Sequence, residues 1–127
     1  MNYRLDKYGN KLSVLGFGCM RFPQKLGRID MAETEREIMT DIEGGVNYFD
    51  TAYIYPGSEA ALGEILAKNG ARERVYIATK LPHYLIKSRE GMDKLFSEEL
   101  HRAAQKFHRC FQLHRVRQMR EALPAAC

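Results

Sequence analysis

The sequence predicts an α/β protein built on a parallel sheet. Three observations carry this. Short apolar runs of strand length recur at 12–18, 46–49 and 75–79, and amphipathic stretches of helical period separate them. The two kinds alternate along the chain, which implies crossover connections rather than hairpins.

The elements follow in order. Tyr3-Arg4-Leu5 precedes a polar turn holding Asp6, Lys7, Gly9 and Asn10, and a hairpin is expected there. Its second arm, Leu12-Ser13-Val14-Leu15-Gly16-Phe17-Gly18, hardly alternates, so it is expected as one fully buried strand. Glycines in that run would let a ligand or another backbone come close. Asp30 is a helix cap with Glu33 three residues on. Ile38, Met39 and Ile42 then recur at helical spacing until Gly44-Gly45 stops the helix. Val46-Asn47-Tyr48-Phe49 is the next strand. Ser58 caps a second helix with Ala61, Leu62, Ile65 and Leu66 on one face and Gly70 at its end. Val75 to Thr79 is the third strand of the alternation, and a third helix runs from about Gly91 through Leu95, Phe96 and Leu100.

Charge divides the chain. Residues 1–100 hold 14 Lys and Arg against 15 Asp and Glu, whereas residues 101–127 hold 6 against 1, so the basic excess lies in the tail. The tail also carries His101, His108 and His114, and it has no clean apolar stripe. Cys19, Cys110 and Cys127 are odd in number and widely spaced, which points to neither a disulfide framework nor a metal site. No stretch reaches the roughly 18 apolar residues of a membrane span. The start lacks the apolar core of a signal peptide, and a cytoplasmic location is the expectation.

Chemistry concentrates at two strand ends. Asp50 closes one strand, Tyr55 lies on the loop after it, and Lys80 closes the next. A phenol with an ordinary pKa of about 10 is a sluggish acid at neutral pH. An adjacent ammonium stabilises the phenolate, and a carboxylate keeps a partly buried ammonium charged. Parallel α/β sheets build their sites on this side. Taken singly, an Asp at a strand end is commonly a turn cap and a loop Tyr commonly a packed ring. The full string Phe49-Asp50-Thr51-Ala52-x-x-Tyr55 with Ser58-Glu59 and then Ala78-Thr79-Lys80 is far more specific.

These residues resemble the aldo-keto reductase family. The matching positions are Asp50-Thr51-Ala52, Tyr55, Gly57-Ser58-Glu59, Leu62-Gly63 and Lys80, with Leu15-Gly16-Phe17-Gly18-Cys19-Met20-Arg21 similar to the family's first strand and loop. The resemblance covers roughly residues 3 to 100. It implies a (β/α)8 TIM barrel opened by a hairpin, and reduction of aldehydes or ketones to alcohols with NADPH. It also implies Tyr55 as proton donor, Lys80 as the residue that makes it acidic, and Asp50 as the holder of Lys80. Gly18, Cys19 and Met20 would border the cofactor. The run Gly16-Phe17-Gly18-Cys19-Met20-Arg21-Phe22-Pro23 is similar to a branch whose members often carry a C-terminal iron–sulfur domain, of which the sequence has nothing.

A full barrel takes roughly 250 residues. The expectation is therefore a truncated one: the hairpin plus about three βα units in residues 1–100, followed by a divergent basic tail, 101–127. The resemblance puts most phosphate and adenine contacts in later strands, so weak or absent turnover is expected. Laid without gaps after Leu100, the family's next strand falls on Phe107 to His114. His114 then stands at the place of a substrate-orienting histidine, but Arg109 stands where the strand's Asp belongs. A reading-frame shift near residue 101 would account for this. His108-Arg109-Cys110-Phe111 can be encoded so that the frame one base later reads Ile-Asp-Ala. Two other classes stay open. One is a non-catalytic fragment that self-associates through exposed sheet edges or docks on a partner barrel. The other is a basic-tail binder of anionic surfaces; with no groove-reading motif, nucleic acid is not the expected partner. The expected partner is a small carbonyl substrate.

Overall fold

The carboxylate of Asp6 accepts from the backbone N–H groups of Tyr8 (2.9 Å) and Asn10 (2.7 Å), closing the first turn. Strands β1 (Tyr3–Leu5) and β2 (Lys11–Ser13) therefore pair antiparallel, with Arg4 opposite Leu12. The computed structural model describes residues 1–80, 82, 84 and 86–102. His114 and residues 103–127 of the basic tail lie outside the described residues.

The run from Leu12 to Gly18 is not one buried strand. It breaks after Ser13, and Val14 and Leu15 are 61% and 60% exposed. The physical reason is a local polar knot. The Ser13 hydroxyl donates to the Leu15 carbonyl (2.6 Å), and the Ser13 N–H donates to Asn47 Oδ1 (2.8 Å). Asn47 Nδ2 in turn donates to the Lys11 carbonyl (2.9 Å). These bonds turn the chain out of the hairpin and release it as β3 (Phe17–Gly18) at a new level. A second hairpin, β4 (Gln24–Lys25) and β5 (Arg28–Ile29), follows; its turn residues Leu26 and Gly27 both have positive φ.

Helix α1 (Met31–Glu43) starts as expected, with Asp30 Oδ1 accepting from the Glu33 N–H (3.2 Å). Thr34, Ile38 and Ile42 form its buried face. It ends at Gly44, and Gly45 (φ 94°) turns the chain toward β6 (Tyr48–Asp50) in the left-handed conformation glycine tolerates. Helix α2 (Ser58–Lys68) buries Ala61, Leu62, Ile65 and Leu66. Its cap differs from expectation: Gly57 (φ 74°) is the cap residue and makes no side-chain cap bond, while Ser58 is the first helical residue. A 3-10 turn (Arg72–Arg74) leads into β7 (Tyr76–Ala78). Helix α3 (Arg89–Arg102) begins where Ser88 Oγ accepts from the Gly91 N–H (3.0 Å), and it buries Met92.

The parallel sheet has the order β3-β6-β7. Phe17 stands opposite Phe49 and Phe49 opposite Ile77; Gly18 stands opposite Asp50 and Asp50 opposite Ala78. Phe49 and Ile77 join Ile38, Ile42, Leu62, Ile65 and Leu66 in one apolar cluster. The Phe17 ring stacks on Phe49 at 5.3 Å between centroids. Each such aliphatic or aromatic side chain contributes about 1.5–3 kcal/mol by leaving water. This packing fixes the rotation of β6, and with it which way Asp50 faces, because side chains alternate along a strand. Lys68 Nζ and Asn69 Nδ2 both bond the Glu35 carboxylate (2.6 and 2.8 Å), tying α2 to α1.

Candidate active site

Three strand ends converge. Asp50 is the last residue of β6, and Lys80 lies two residues past β7. Tyr55 sits in the turn leading to α2, where its N–H donates to the Ala52 carbonyl (3.0 Å) and its carbonyl accepts from the Ser58 N–H (3.1 Å). The loop from Thr51 is held to the β7 end by Thr51 N–H to Ala78 O (2.7 Å) and Tyr53 N–H to Lys80 O (3.3 Å).

The side chains meet. The Lys80 ammonium donates to Asp50 Oδ1 in a close ion pair and to the Thr51 carbonyl at 3.0 Å. The same ammonium stands over the Tyr55 ring, 5.4 Å from its centroid, a cation–π distance. The side chains of Asp50, Tyr55 and Lys80 thus come together around one ammonium. The Lys80 and Asp50 side chains are 41% and 37% exposed, so water screens their attraction and the pair adds little to stability. What it does is hold a cation beside a phenol at the open end of the sheet.

The loop Gly18-Cys19-Met20 lies alongside. Gly18 is exposed and level with Asp50; a Cβ built there would meet nothing within 4 Å. Met20 is exposed as well. Cys19 donates its N–H to the Asp50 carbonyl (2.8 Å), and its thiol is fully buried, with Sγ 3.9 Å from the Phe17 carbonyl oxygen. Burial pushes that thiol up to about 12, the Asp50 charge acts in the same direction, and Lys80 opposes them.

A second set of polar groups backs the site, and reading the sequence did not assign them to it. Ser58 Oγ donates to the Cys19 carbonyl (2.7 Å) and lies 2.9 Å from Thr51 Oγ1. Thr79 Oγ1 donates to Glu59 Oε1 at 2.7 Å. The signal was present: Ser58 and Glu59 follow Tyr55 closely, and Thr79 directly precedes Lys80. For Ser58, the helix-start position made capping the simpler reading.

Comparison with known proteins points to one family. The model of the aldo/keto reductase family matches residues 14–122. An aldo-keto reductase of Mycobacterium sp. (strain MCS) is 38% identical over 74 residues, which are 58% of this chain and 23% of that protein. Among solved structures, the holo form of the aldo-keto reductase AKR11C1 from Bacillus halodurans is 26% identical with a TM-score of 0.66, over 83% of this chain and 37% of that one. An aldo/keto reductase of Klebsiella pneumoniae, solved with NADP and acetate, shares the fold at 21% identity and a TM-score of 0.63, over 77% and 34%. The chain therefore spans under a quarter of the curated relative's length.

Proposed function

The chain belongs to the aldo/keto reductase family, and from that premise we propose that it carries the proton-donating half of a site that reduces aldehydes or ketones to alcohols. The observation that supports this most is the Lys80 ammonium, which contacts the Asp50 carboxylate and the Tyr55 ring at once. A carbonyl oxygen that gains negative charge as its carbon is reduced needs a proton. Tyr55, half-buried on the loop beside the open strand ends, is the group to give it. The phenolate left behind gains from the cation at its ring, and Asp50 with the Thr51 carbonyl keeps that cation in place.

NADPH is the proposed cofactor; when bound it supplies the hydride. The residues present suit its nicotinamide end, because Gly18 leaves open space level with Asp50 and Met20 is exposed beside it. Gly18, Cys19 and Met20 would hold that end, with Cys19 contributing its backbone, since its thiol faces the core. The family resemblance puts the phosphate and adenine contacts in later strands, so weak turnover is proposed for these 127 residues by themselves. No helix among the described residues is long and apolar enough to cross a membrane. A cytoplasmic setting is part of this proposal.

The test is the loss of NADPH absorbance with a simple aromatic aldehyde. A slow rate is expected that Tyr55→Phe lowers about 100-fold or more, the usual worth of a general acid. A rate equal to the enzyme-free control, or one untouched by Tyr55→Phe, would sink the proposal.

A further inference from the structure

We propose that the first turn of α2 is a clamp that positions the reactive groups: Ser58 fastens the ends of β3 and β6, and Glu59 fastens the end of β7. The inference rests on the reading of Asp50, Tyr55 and Lys80 as the reductive site, and it gives Ser58, Glu59 and Thr79 roles as positioning residues.

The bonding pattern has a direction. A carbonyl only accepts, so the single hydroxyl hydrogen of Ser58 goes to the Cys19 oxygen. The Thr51 hydroxyl must then be the donor across the 2.9 Å to Ser58 Oγ. Ser58 thus joins the loop after β3 on one side to the residue after Asp50 on the other. Thr51 is the residue whose backbone carbonyl accepts from Lys80 Nζ at 3.0 Å. One residue along the helix, the Glu59 carboxylate accepts from Thr79, which directly precedes Lys80. Besides the Asp50 carboxylate, the ammonium is held by the chain it hangs from and by the Thr51 carbonyl, and both of these are tied to consecutive residues of one helix turn.

Ser58 and Glu59 are 2% and 3% exposed, and Thr51 and Thr79 are buried with them. Polar groups removed from water add little net stability even when bonded, and apolar side chains of similar shape would fill the same space. What hydrogen bonds supply that apolar packing does not is direction. A reacting group displaced by about 1 Å can lose on the order of 100-fold in rate, so a turn that fixes three strand ends together has a functional use. Helix α2 is rigid and deeply packed through Leu62, Ile65 and Leu66, which makes it a firm base for such a clamp.

The experiment reads position as well as rate. Protons over an aromatic face are shifted upfield, so the Lys80 ε-methylene protons of the full chain should show an upfield NMR shift and a cross-relaxation peak to the Tyr55 ring. Ser58→Ala and Thr79→Val should each abolish or weaken that signature while the remaining amide spectrum stays native. Thr79→Ser, which keeps the hydroxyl, should restore it. In the NADPH assay the same two variants should lower kcat roughly tenfold or more with KM little changed, and Glu64→Gln, at an exposed position of α2, should change neither readout. The clamp is refuted if the Lys80–Tyr55 signature is missing from the native chain, or survives both Ser58→Ala and Thr79→Val. Should the signature respond as stated while Tyr55→Phe leaves turnover unchanged, the clamp stands and the reductive reading is what fails.

Discussion

A buried thiol next to a catalytic-type ion pair is a sensitive reporter at the scale of single residues. Cys19 is held protonated in the fold up to about 12, against an ordinary value of 9.0. The unfolded chain releases that proton near 9.0, so between these values it binds fewer protons than the folded chain. Stability must then fall as pH rises through this window, by up to about 1.4 kcal/mol per pH unit from this group. Every other titratable group is common to a Cys19→Ala variant, so the comparison isolates this thiol. The expected result is a shallower decline of urea-unfolding stability with pH in Cys19→Ala than in the native chain; parallel declines would show that the thiol is not so held. The meeting of Asp50, Tyr55 and Lys80 was legible in the sequence because Asp50 and Lys80 fall at or just past strand ends, Tyr55 lies on the loop after one, and strand ends are countable from apolar runs. The inward turn of Cys19 was not legible, since neighbouring positions in a loop do not alternate as a strand does. Ser58 was misread as a cap for a related reason: a hydroxyl at a helix start satisfies that role locally, and only the arrival of Cys19 and Thr51 from elsewhere redirects it.

Elements were legible where period and cap agreed, and lost where a local bond outweighed a pattern. Helix α1 is announced by Asp30, by the spacing of Ile38 and Ile42 and by Gly44-Gly45, and all of these act as read. The 12–18 run failed because periodicity cannot see the Ser13–Asn47 knot, which joins residues 34 apart in sequence. The β4–β5 hairpin was invisible because its turn begins with a residue that turns disfavour. Leu26 holds φ 52° and is 96% exposed, followed by Gly27 at φ 75°. Two-residue hairpin turns with both residues left-handed prefer Asn-Gly, and leucine pays a Cβ penalty there that asparagine tolerates better. Leu26 loses almost no apolar burial on substitution. Leu26→Asn should therefore raise unfolding stability by roughly 0.5–1 kcal/mol, read as a higher urea midpoint at unchanged slope. An unchanged or lower midpoint would mean that the turn is not formed as described.

At the scale of the whole molecule, the alternation of strands and helices predicted a parallel sheet, and β3, β6 and β7 do pair parallel; the remaining question is what the sheet does at its margins. Both β3 and β7 pair with β6, and among the described residues neither has a strand on its other side. An edge strand offers N–H and C=O groups to any second chain, and proteins normally blunt such edges with charge, proline or a covering segment. Tyr76-Ile77-Ala78 has no charge and no proline, but Ile77 and Ala78 are fully buried, so the accessible edge among the described residues is β3, where Phe17 is half-buried and Gly18 exposed, with neither charge nor proline. The chain should therefore associate, its weight-average mass in sedimentation equilibrium rising above that of one chain as concentration increases. The tail offers a competing route, because residues 101–127 carry 6 Lys and Arg against a single Glu121 and can meet individual carboxylates of another copy. Salt separates the two. Pairing through backbone hydrogen bonds and apolar contact is little affected by ionic strength, whereas attraction between exposed charges is largely screened beyond about 10 Å at 0.1 M salt. Association that persists at high salt is the expected outcome. A single-chain mass at every concentration would show the edges to be covered, and association that dissolves with salt would transfer it to the tail.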